Sequence, residues 1–471
     1  MTRLALFLLL AIAACASDRG IIHRSTPADP AALQAEQSLG GEAPSGEWPA
    51  LDWWKRYGDP QLDALVEQAL AGSPNMRLAQ ARLDQARGQA QVAGASLKPQ
   101  VNAEASVNRQ RFSENYIFPP PIGGSTHTTT QLDLNASYDV DFWGRNRAAY
   151  EAAVGRARAA QAESFAARLV LSTSVASVYV QLARAHDQLD IARHTLQDRE
   201  RVQSLTSDRL RAGLDSRLEL KQVETSIPAA RARVVQIEEE IALTRTQLAA
   251  LLGQGPDRGL AIQRPVLHPA PVALPSRLPA DLLGRRPDIV AARTRAEAAA
   301  RDIASAKAAF YPDVNLSALV GVQSVTLSKL LETGSAIPSV GAAIRLPILE
   351  AGRLRGALAT RNAEYDAAVE QYNQALADAL REVVDQLTSM RSVQRQRSEV
   401  DTAVAAAEEA YNLAVTRYKA GIGSLLQVLT AETQVLEQRN LRTDLQSREL
   451  ALSINLIRAL GGGFDLQLAM Q

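Results

Sequence analysis

Hydrophobic positions in the first part of the chain recur at the spacing of helices. Between residues 60 and 97, apolar side chains such as Leu62 and Leu65 return every three or four residues, which predicts amphipathic helix. Gly72-Ser73-Pro74 divides this stretch into two predicted helices, because glycine and proline interrupt helical backbone. Lys98-Pro99 ends the second of them.

The pattern then changes to strict alternation, at 101–108 and more cleanly at 131–141. In the second segment one face is apolar and the other polar: Leu132, Leu134, Ala136, Tyr138 and Val140 against Gln131, Asp133, Asn135, Ser137, Asp139 and Asp141. Such a strand separates an apolar environment from water. A soluble hairpin with one buried face fits this pattern, and so does a membrane strand, for which about ten residues suffice.

Two long helices follow. Residues 145–212 contain no proline and would extend roughly 100 Å as one helix, which is typical of coiled coils or helical repeats. Gly213 ends this helix, and a second one is predicted from about Ser216 to Leu252. Pro228 inside it predicts a kink or a local irregularity.

The chain is a duplication. Arg209-Leu-Arg-Ala-Gly-Leu-Asp-Ser216 aligns with Arg417-Tyr-Lys-Ala-Gly-Ile-Gly-Ser424 at an offset of 208, and Leu97-Lys-Pro-Gln-Val-Asn aligns with Phe310-Tyr-Pro-Asp-Val-Asn at 213. The second half therefore predicts the same order of elements: a helix over about 280–309, strands within 312–348, and helices over 351–419 and to Leu460.

The predicted division of the chain has six parts. They are a signal peptide (1–14), an extended segment (15–57), a first repeat (58–252, with strands in about 99–141 and a helical hairpin at 145–252), a Pro-rich extended linker (253–279), a second repeat (280–461, with strands in about 312–348 and a hairpin at 351–460) and a tail (462–471).

The N-terminus has the pattern of a secretory signal. A basic start is followed by an apolar run from Leu4 to Ile12, too short for a bilayer span of about 20 residues. Ile12-Ala13-Ala14-Cys15 resembles a bacterial lipobox and contains the only cysteine of the chain. A plain signal peptide with an incidental cysteine is the alternative. The residue after Cys15 is Ala16 and not aspartate. In this respect the sequence resembles lipoproteins of the outer membrane rather than those of the inner membrane.

Composition narrows the function. Lys+Arg and Asp+Glu are both 51, so the formal net charge is zero, which argues against nucleic-acid binding by a charge surplus. The five histidines are scattered, without metal-ligand spacing. G-x-S-x-G, P-loop and H-E-x-x-H motifs are absent from the sequence. We therefore expect neither an enzyme nor a metal site.

Four strands cannot close a barrel, and later segments lack the 18 apolar residues of a transmembrane helix. An open sheet in lipid would leave two edges without hydrogen bonds. If the strands cross a membrane, several chains must share one barrel, and three chains would give twelve strands with room for a lumen. Asp133, Asp139 and Asp141 would then face the water of that lumen.

Taken together, the sequence resembles outer-membrane factors of the TolC/OprM type, and most closely the lipoproteins of resistance–nodulation–division efflux systems. The resemblance rests on Cys15, Leu282-Leu-Gly-Arg-Arg-Pro-Asp-Ile289, Tyr311-Pro312, Ala212-Gly213-Leu214 and Ala420-Gly421-Ile422. It implies a mixed α and β membrane protein: a homotrimeric 12-stranded β-barrel, four strands per chain, continued by a long α-helical periplasmic tunnel.

The same resemblance implies the partners and the location. The trimer would lie in the outer membrane, anchored by lipid on Cys15 and otherwise without cofactor. It would dock to a periplasmic adaptor protein and, through the adaptor, to an inner-membrane efflux transporter. The channel would conduct small molecules passively from the periplasm to the exterior. A channel for type I protein secretion and a coiled-coil scaffold without a channel remain alternatives.

The resemblance also implies site residues. The turns at 212–216 and 420–424, called here the first tip and the second tip, would meet the adaptor through Gly213, Leu214, Ser216, Gly421, Ile422 and Ser424. The glycines permit a left-handed helix end and the serines predict helix caps. The alternative is that the tips only connect the helices of each hairpin and do not contact an adaptor.

The tunnel would narrow after the second tip, at Leu426, Gln427, Thr430 and Glu432. Related channels place acids at the positions of Gln427 and Thr430, so this chain departs from the pattern. We expect a gate closed mainly by packing of Leu426 and by polar contacts, with weak cation selectivity. Glu432 points to another face than Thr430, where a solvated surface charge is the simplest interpretation.

Overall fold

The computed structural model describes residues 18–33, 36–39, 47–268, 284–348 and 350–465. Cys15 and the predicted signal peptide lie outside the described residues, as do 269–279 of the linker, 280–283 of the second repeat and 466–471 of the tail.

Both halves contain two strands followed by a long helical hairpin. The first half has α1 (Pro60–Gly72), α2 (Pro74–Ala95), β1 (Gln100–Arg111), β2 (Thr126–Val140), α3 (Arg145–Arg211) and α4 (Arg217–Leu251). The second has α5 (Pro287–Ala308), β3 (Asp313–Ser324), β4 (Ser339–Arg345), α6 (Ala351–Lys419) and α7 (Leu425–Ala459). Short helical turns lie at Pro30–Ala32, Glu36–Leu39, Trp53–Tyr57, Asp257–Leu260, Leu327–Lys329 and Thr333–Ser335.

One local expectation needs correction. The linker, predicted to be extended, forms a helical turn at Asp257–Leu260. Of the helix expected over about 280–309, the structure shows Pro287–Ala308, and proline fits the first turn of a helix. Helix α4 continues through Pro228, whose neighbours Ile227 and Ala230 are buried, and the kink or local irregularity at Pro228 stays a prediction.

The four strands form one antiparallel sheet in the order β1-β2-β3-β4. Its register aligns the apolar positions, because Leu134 is opposite both Ala103 and Val320. These apolar side chains are exposed: Leu134 by 50%, Val320 by 60% and Val340 by 89%. A large apolar sheet surface of this kind requires a partner or a membrane.

The opposite face of β2 is polar and partly buried. Asp133 is only 2% exposed and accepts hydrogen bonds from the Gln131 and Asn135 side chains. Asp139 accepts one from the Asn315 side chain of β3. Asp141, predicted to belong to this face, instead follows the strand and accepts from the backbone N–H groups of Asn146 and Arg147. It caps α3, because the first N–H groups of a helix lack partners of their own.

The described residues fall into two compact units. The first contains the sheet and comprises residues up to Pro27, Arg82–Ala160 and Ala291–Asn373. The second comprises Ala28–Ala81, Gln161–Val290 and Gln374 to the C-terminus. Each unit therefore draws on both halves of the duplicated chain.

One hydrophobic core cluster of the second unit combines aromatic with aliphatic side chains. Trp54 and Tyr57 pack with Tyr179, Leu182 and Leu248 in one buried cluster. A polar network accompanies it, in which the Tyr179 hydroxyl donates to Asp59 over 2.7 Å.

Helix α3 contains an 18-residue stretch of mean hydropathy 1.3, enough by length and composition to cross a membrane. The sequence predicted that no segment after the N-terminus would be apolar enough for a transmembrane helix, and this stretch is an exception by composition. Half of the stretch is buried inside the structure, as in the core helix of a soluble protein. Hydropathy is therefore weak evidence for a helical span.

In the first unit the N-terminal segment lies along α6. Arg355 donates a hydrogen bond to the backbone carbonyl of Arg19 over 3.3 Å. Asp366 accepts from the backbone N–H groups of Arg24 and Ser25 at 2.9 and 2.8 Å. Residues 18–27, called here the strap, thus run along α6 away from its start. Residue 19 lies at the end of α6 that follows β4.

Candidate functional site

The two tips share one backbone design. Gly213 and Gly421 have φ angles of 72° and 79°, the left-handed conformation that ends many helices. Ser216 and Ser424 each form a capping box: the serine side chain accepts from the helix backbone, and the third helical residue bonds back to the serine N–H. The turns and caps predicted from the sequence are therefore present.

Both tips expose an apolar side chain at the same aligned position. Leu214 is 63% exposed and Ile422 is 70% exposed. Each follows its glycine directly, so the left-handed turn directs the next residue beyond the end of the hairpin. Single exposed apolar residues are common on protein surfaces, so what distinguishes Leu214 and Ile422 is that the same feature recurs at the aligned position of both tips.

A buried polar network joins the two tips. The Arg209 guanidinium donates to both carboxylate oxygens of Asp215, at 2.9 and 3.1 Å, and to the backbone carbonyl of Tyr418 at 2.7 Å. The Tyr418 hydroxyl donates to Asp215 over 2.5 Å and lies 2.9 Å from the Thr206 hydroxyl. The guanidinium also lies 4.4 Å from the centre of the Tyr418 ring. We call these four residues the tip lock.

The pKa shifts of the tip lock keep its groups in one protonation state at neutral pH. Burial alone would raise the pKa of Asp215, but hydrogen bonds from Arg209 and Tyr418 and the charge of Arg209 outweigh it and hold the pKa below its usual value. Burial raises the pKa of the Tyr418 hydroxyl, and its bond to Asp215 raises it further. At neutral pH the network therefore contains a carboxylate, a protonated tyrosine and a guanidinium.

Comparison with known proteins decides the family. The model of the outer membrane efflux protein family matches the chain twice, over residues 65–254 and 278–462. The chain belongs to the outer membrane efflux protein family.

Relatives and a solved structure agree with this assignment. The fusaric acid resistance protein FusA of Burkholderia cepacia is 40% identical over 358 residues, 75% of this chain and 68% of FusA. The multidrug resistance outer membrane protein MdtP of Escherichia coli K12 is 32% identical over 429 residues, 89% of this chain and 88% of MdtP. The crystal structure of the outer membrane protein VceC of Vibrio cholerae has a TM-score of 0.84 at 41% identity, covering 89% of this chain and 100% of VceC.

These matches confirm the predicted fold class and function. The efflux protein has the fold of outer-membrane channels in which a trimeric barrel is continued by a helical tunnel. It is an outer-membrane efflux channel.

Three of the four predicted constriction residues lie on one exposed face of α7. Leu426 is 68% exposed, and Gln427 and Thr430 are exposed as well. Positions three and four apart on a helix are neighbours, so the three side chains form one surface. Their role in narrowing a tunnel stays a prediction.

Glu432 does not belong to that surface, and it is not a solvated charge. It is 7% exposed and pairs with the Arg199 side chain of α3, whose Nε lies 3.2 and 3.1 Å from its two carboxylate oxygens. Arg199 also donates to the carbonyl of Ser226 in α4 over 2.9 Å. Burial raises the pKa of Glu432 and the charge of Arg199 opposes the rise. The pair fastens α7 to the first hairpin.

The Arg285-Arg286-Pro287-Asp288 stretch is a structural joint. Arg286 is 7% exposed and donates to Asp288, to Glu382 of α6 and to the backbone carbonyl of Ala459 at the end of α7. The motif therefore holds the start of α5 and the end of α7 against the middle of α6.

Sequence reasoning missed Arg199, Arg209 and Tyr418, because each acts on a partner about 200 residues away. One signal was available for Asp215: it differs from its aligned counterpart Gly423 inside an otherwise repeated motif.

Proposed function

We propose that the chain forms a homotrimer in the outer membrane and conducts small molecules from the periplasm to the exterior when its tips are docked on a periplasmic adaptor that holds an inner-membrane transporter. The observation that carries the docking is the pair of exposed apolar side chains, Leu214 and Ile422, at equivalent positions of the two tips.

The trimer is supported by the edges of the sheet. Strand β1 pairs only with β2, and β4 only with β3, among the described residues. Each edge presents unpaired backbone groups, and in lipid each such group costs several kcal/mol. Pairing β1 of one chain with β4 of the next satisfies both edges, and three chains then give twelve strands around a lumen. The exposed apolar face would contact lipid.

The names of the relatives favour small molecules over proteins as cargo. FusA is named for fusaric acid resistance and MdtP for multidrug resistance.

The tip lock supports a closed resting state. It ties the first tip to the helix that leads into the second tip, and Glu432 ties α7 to α3. We infer that docking releases these contacts, and that the surfaces formed by Leu426, Gln427 and Thr430 in the three chains of the trimer then move apart.

Docking is tested by the double variant L214S/I422S. It should abolish drug resistance in a strain that depends on this channel, while trimers remain intact on gels without heating. The control is L243S, which replaces an equally exposed leucine (64%) in the C-terminal part of α4, away from the tips. Unchanged resistance in the double variant contradicts the proposal, and loss of trimers would assign the two residues to assembly instead.

Lipid anchoring on Cys15 is part of the same proposal. The strap places Arg19 beside Arg355, the fifth residue of α6, at the end of this helix that is nearer in sequence to β4. Four extended residues span about 13 Å, so acyl chains on Cys15 would enter the membrane beside the sheet. Two or more chains anchor a protein stably. Mass spectrometry of the mature N-terminus should show a lipid-modified Cys15, and an unmodified terminus at residue 15 contradicts this.

A further inference from the structure

A cavity of about 160 Å³ lies within the second unit, where α3, α4 and α7 meet, and it is open on one side. Each helix contributes both apolar and polar side chains to its walls: Ile191 and Arg199 from α3, Ile237 and Arg233 from α4, and Leu436 and Asn440 from α7. A cavity of about 150 Å³ is large enough to hold a benzene ring. The space is therefore sufficient for one small organic molecule.

Small side chains of the first hairpin make room for this cavity. Ala192 and Ala230 line it and are only 8% and 5% exposed. In the alignment of the two repeats, Val400 and Gln438 occupy these positions. The first repeat thus has smaller side chains around the cavity than the second repeat has at the aligned positions.

Among the described residues that line the cavity, two are arginines and none is acidic. Arg199 donates from Nε to Glu432 and from Nη1 to the carbonyl of Ser226, but its Nη2 donates to no described group. Arg233 donates only from Nη1, to the Gln236 side chain over 2.9 Å. Both guanidinium groups therefore retain N–H donors for a ligand.

The carboxylates closest to the lining residues do not take up these donors. Glu432 binds the Nε side of Arg199 and is not part of the lining. Asp444 accepts from the Gln188 side chain over 3.0 Å. Glu437 is exposed and does not line the cavity. The charge of the lining itself is positive, and it favours an anionic ligand.

We propose that this cavity binds a small amphipathic carboxylate of about the size of benzoate. The carboxylate accepts from Nη2 of Arg199 and from Arg233, and the apolar part lies against Ile191, Ile237 and Leu436. Guanidinium groups match carboxylates in geometry and charge, and the apolar walls favour an organic ligand over an inorganic anion. A ligand in this position contacts three helices and stabilises their packing. The proposal goes beyond the channel function and depends neither on docking nor on membrane insertion.

The test is isothermal titration of benzoate into the detergent-solubilised full chain, with benzamide as the neutral analogue of the same shape. Benzoate should bind saturably, and benzamide should bind about tenfold more weakly because it lacks the charge. The variant R233Q should weaken benzoate binding about tenfold. The matched control R231Q changes an arginine two positions away on α4 that pairs with Glu200, and it should leave the affinity unchanged.

The variant A192V gives the first repeat the valine of the second and should weaken binding by narrowing the cavity. Any of four results would overturn the proposal: no saturable binding of benzoate to the wild type, equal affinities for benzoate and benzamide, equal losses in R233Q and R231Q, or an unchanged affinity in A192V. None of these results bears on the proposed channel function, which is tested by drug resistance.

Discussion

The two tips have the same backbone and different side-chain chemistry. Each ends a helix with a left-handed glycine and begins the next with a serine capping box. The residues between and around the glycine and the serine differ. In the alignment of the two repeats, Asp215 corresponds to Gly423, Leu210 to Tyr418 and Thr206 to Ala414.

The divergence makes the tips complementary. The first tip supplies the carboxylate and the guanidinium of the tip lock, and the second repeat supplies the phenol and a backbone carbonyl. If the second tip repeated the first, Asp215 would meet a leucine in place of Tyr418; if the first repeated the second, Tyr418 would meet a glycine in place of Asp215. Neither arrangement keeps the hydrogen bond, so the tip lock depends on the difference between the two copies.

The largest expected difference between the two hairpins comes from replacing the aligned arginine that precedes each tip. Arg209→Ala deletes the partner of a buried carboxylate and a bond to the second repeat. Truncating one side of a buried pair costs on the order of 3 kcal/mol. We expect tip opening and a severalfold higher conductance in planar bilayers. Its counterpart, Arg417→Ala, removes an exposed side chain and should leave conductance unchanged. Equal effects of the two variants would show that the tips are equivalent.

The second comparison concerns a glutamate that the duplication also repeats. Glu432 is buried with Arg199, whereas its counterpart Glu224 pairs with Lys221 at the surface. Glu432→Gln leaves a mostly buried guanidinium without its carboxylate and should lower the free energy of unfolding by about 2 kcal/mol. Glu224→Gln should change it by about 0.5 kcal/mol or less. Denaturant unfolding of detergent-solubilised trimers distinguishes these values, and a smaller effect of Glu432→Gln than of Glu224→Gln would contradict the structure.

These pairs show what the sequence can predict. The turns, caps and strand faces depend on residues within a few positions of one another, so Gly213, Ser216 and the alternation in β2 were predictable. The burial of Glu432 and the bonds of Tyr418 depend on how two hairpins pack, which involves residues more than 200 positions away. Asp141 shows the boundary between the two cases: a strand pattern extended one residue too far concealed a helix cap.

The smallest expected effect concerns the caps. Removing a serine cap costs about 1 kcal/mol, so Ser216→Ala and Ser424→Ala should each increase hydrogen exchange in the first turn of the following helix. The first box is closed by a charged Glu219 and the second by a neutral Gln427. A charged acceptor forms the stronger hydrogen bond, so Ser216→Ala should have the larger effect at neutral pH.

The difference between the effects of Ser216→Ala and Ser424→Ala should become smaller as the pH falls. The bond from the Ser216 side chain and the backbone bonds lower the pKa of Glu219. A carboxyl group whose pKa is lowered by folding contributes stability above its ordinary pKa and loses it as the pH falls through the lowered value. Acidification should therefore reduce the effect of Ser216→Ala towards that of Ser424→Ala, which has no titrating partner. Glu219→Gln should remove the pH dependence, because it gives the first tip the box of the second. A difference between the two serine variants that grows on acidification would show that charge does not distinguish the caps.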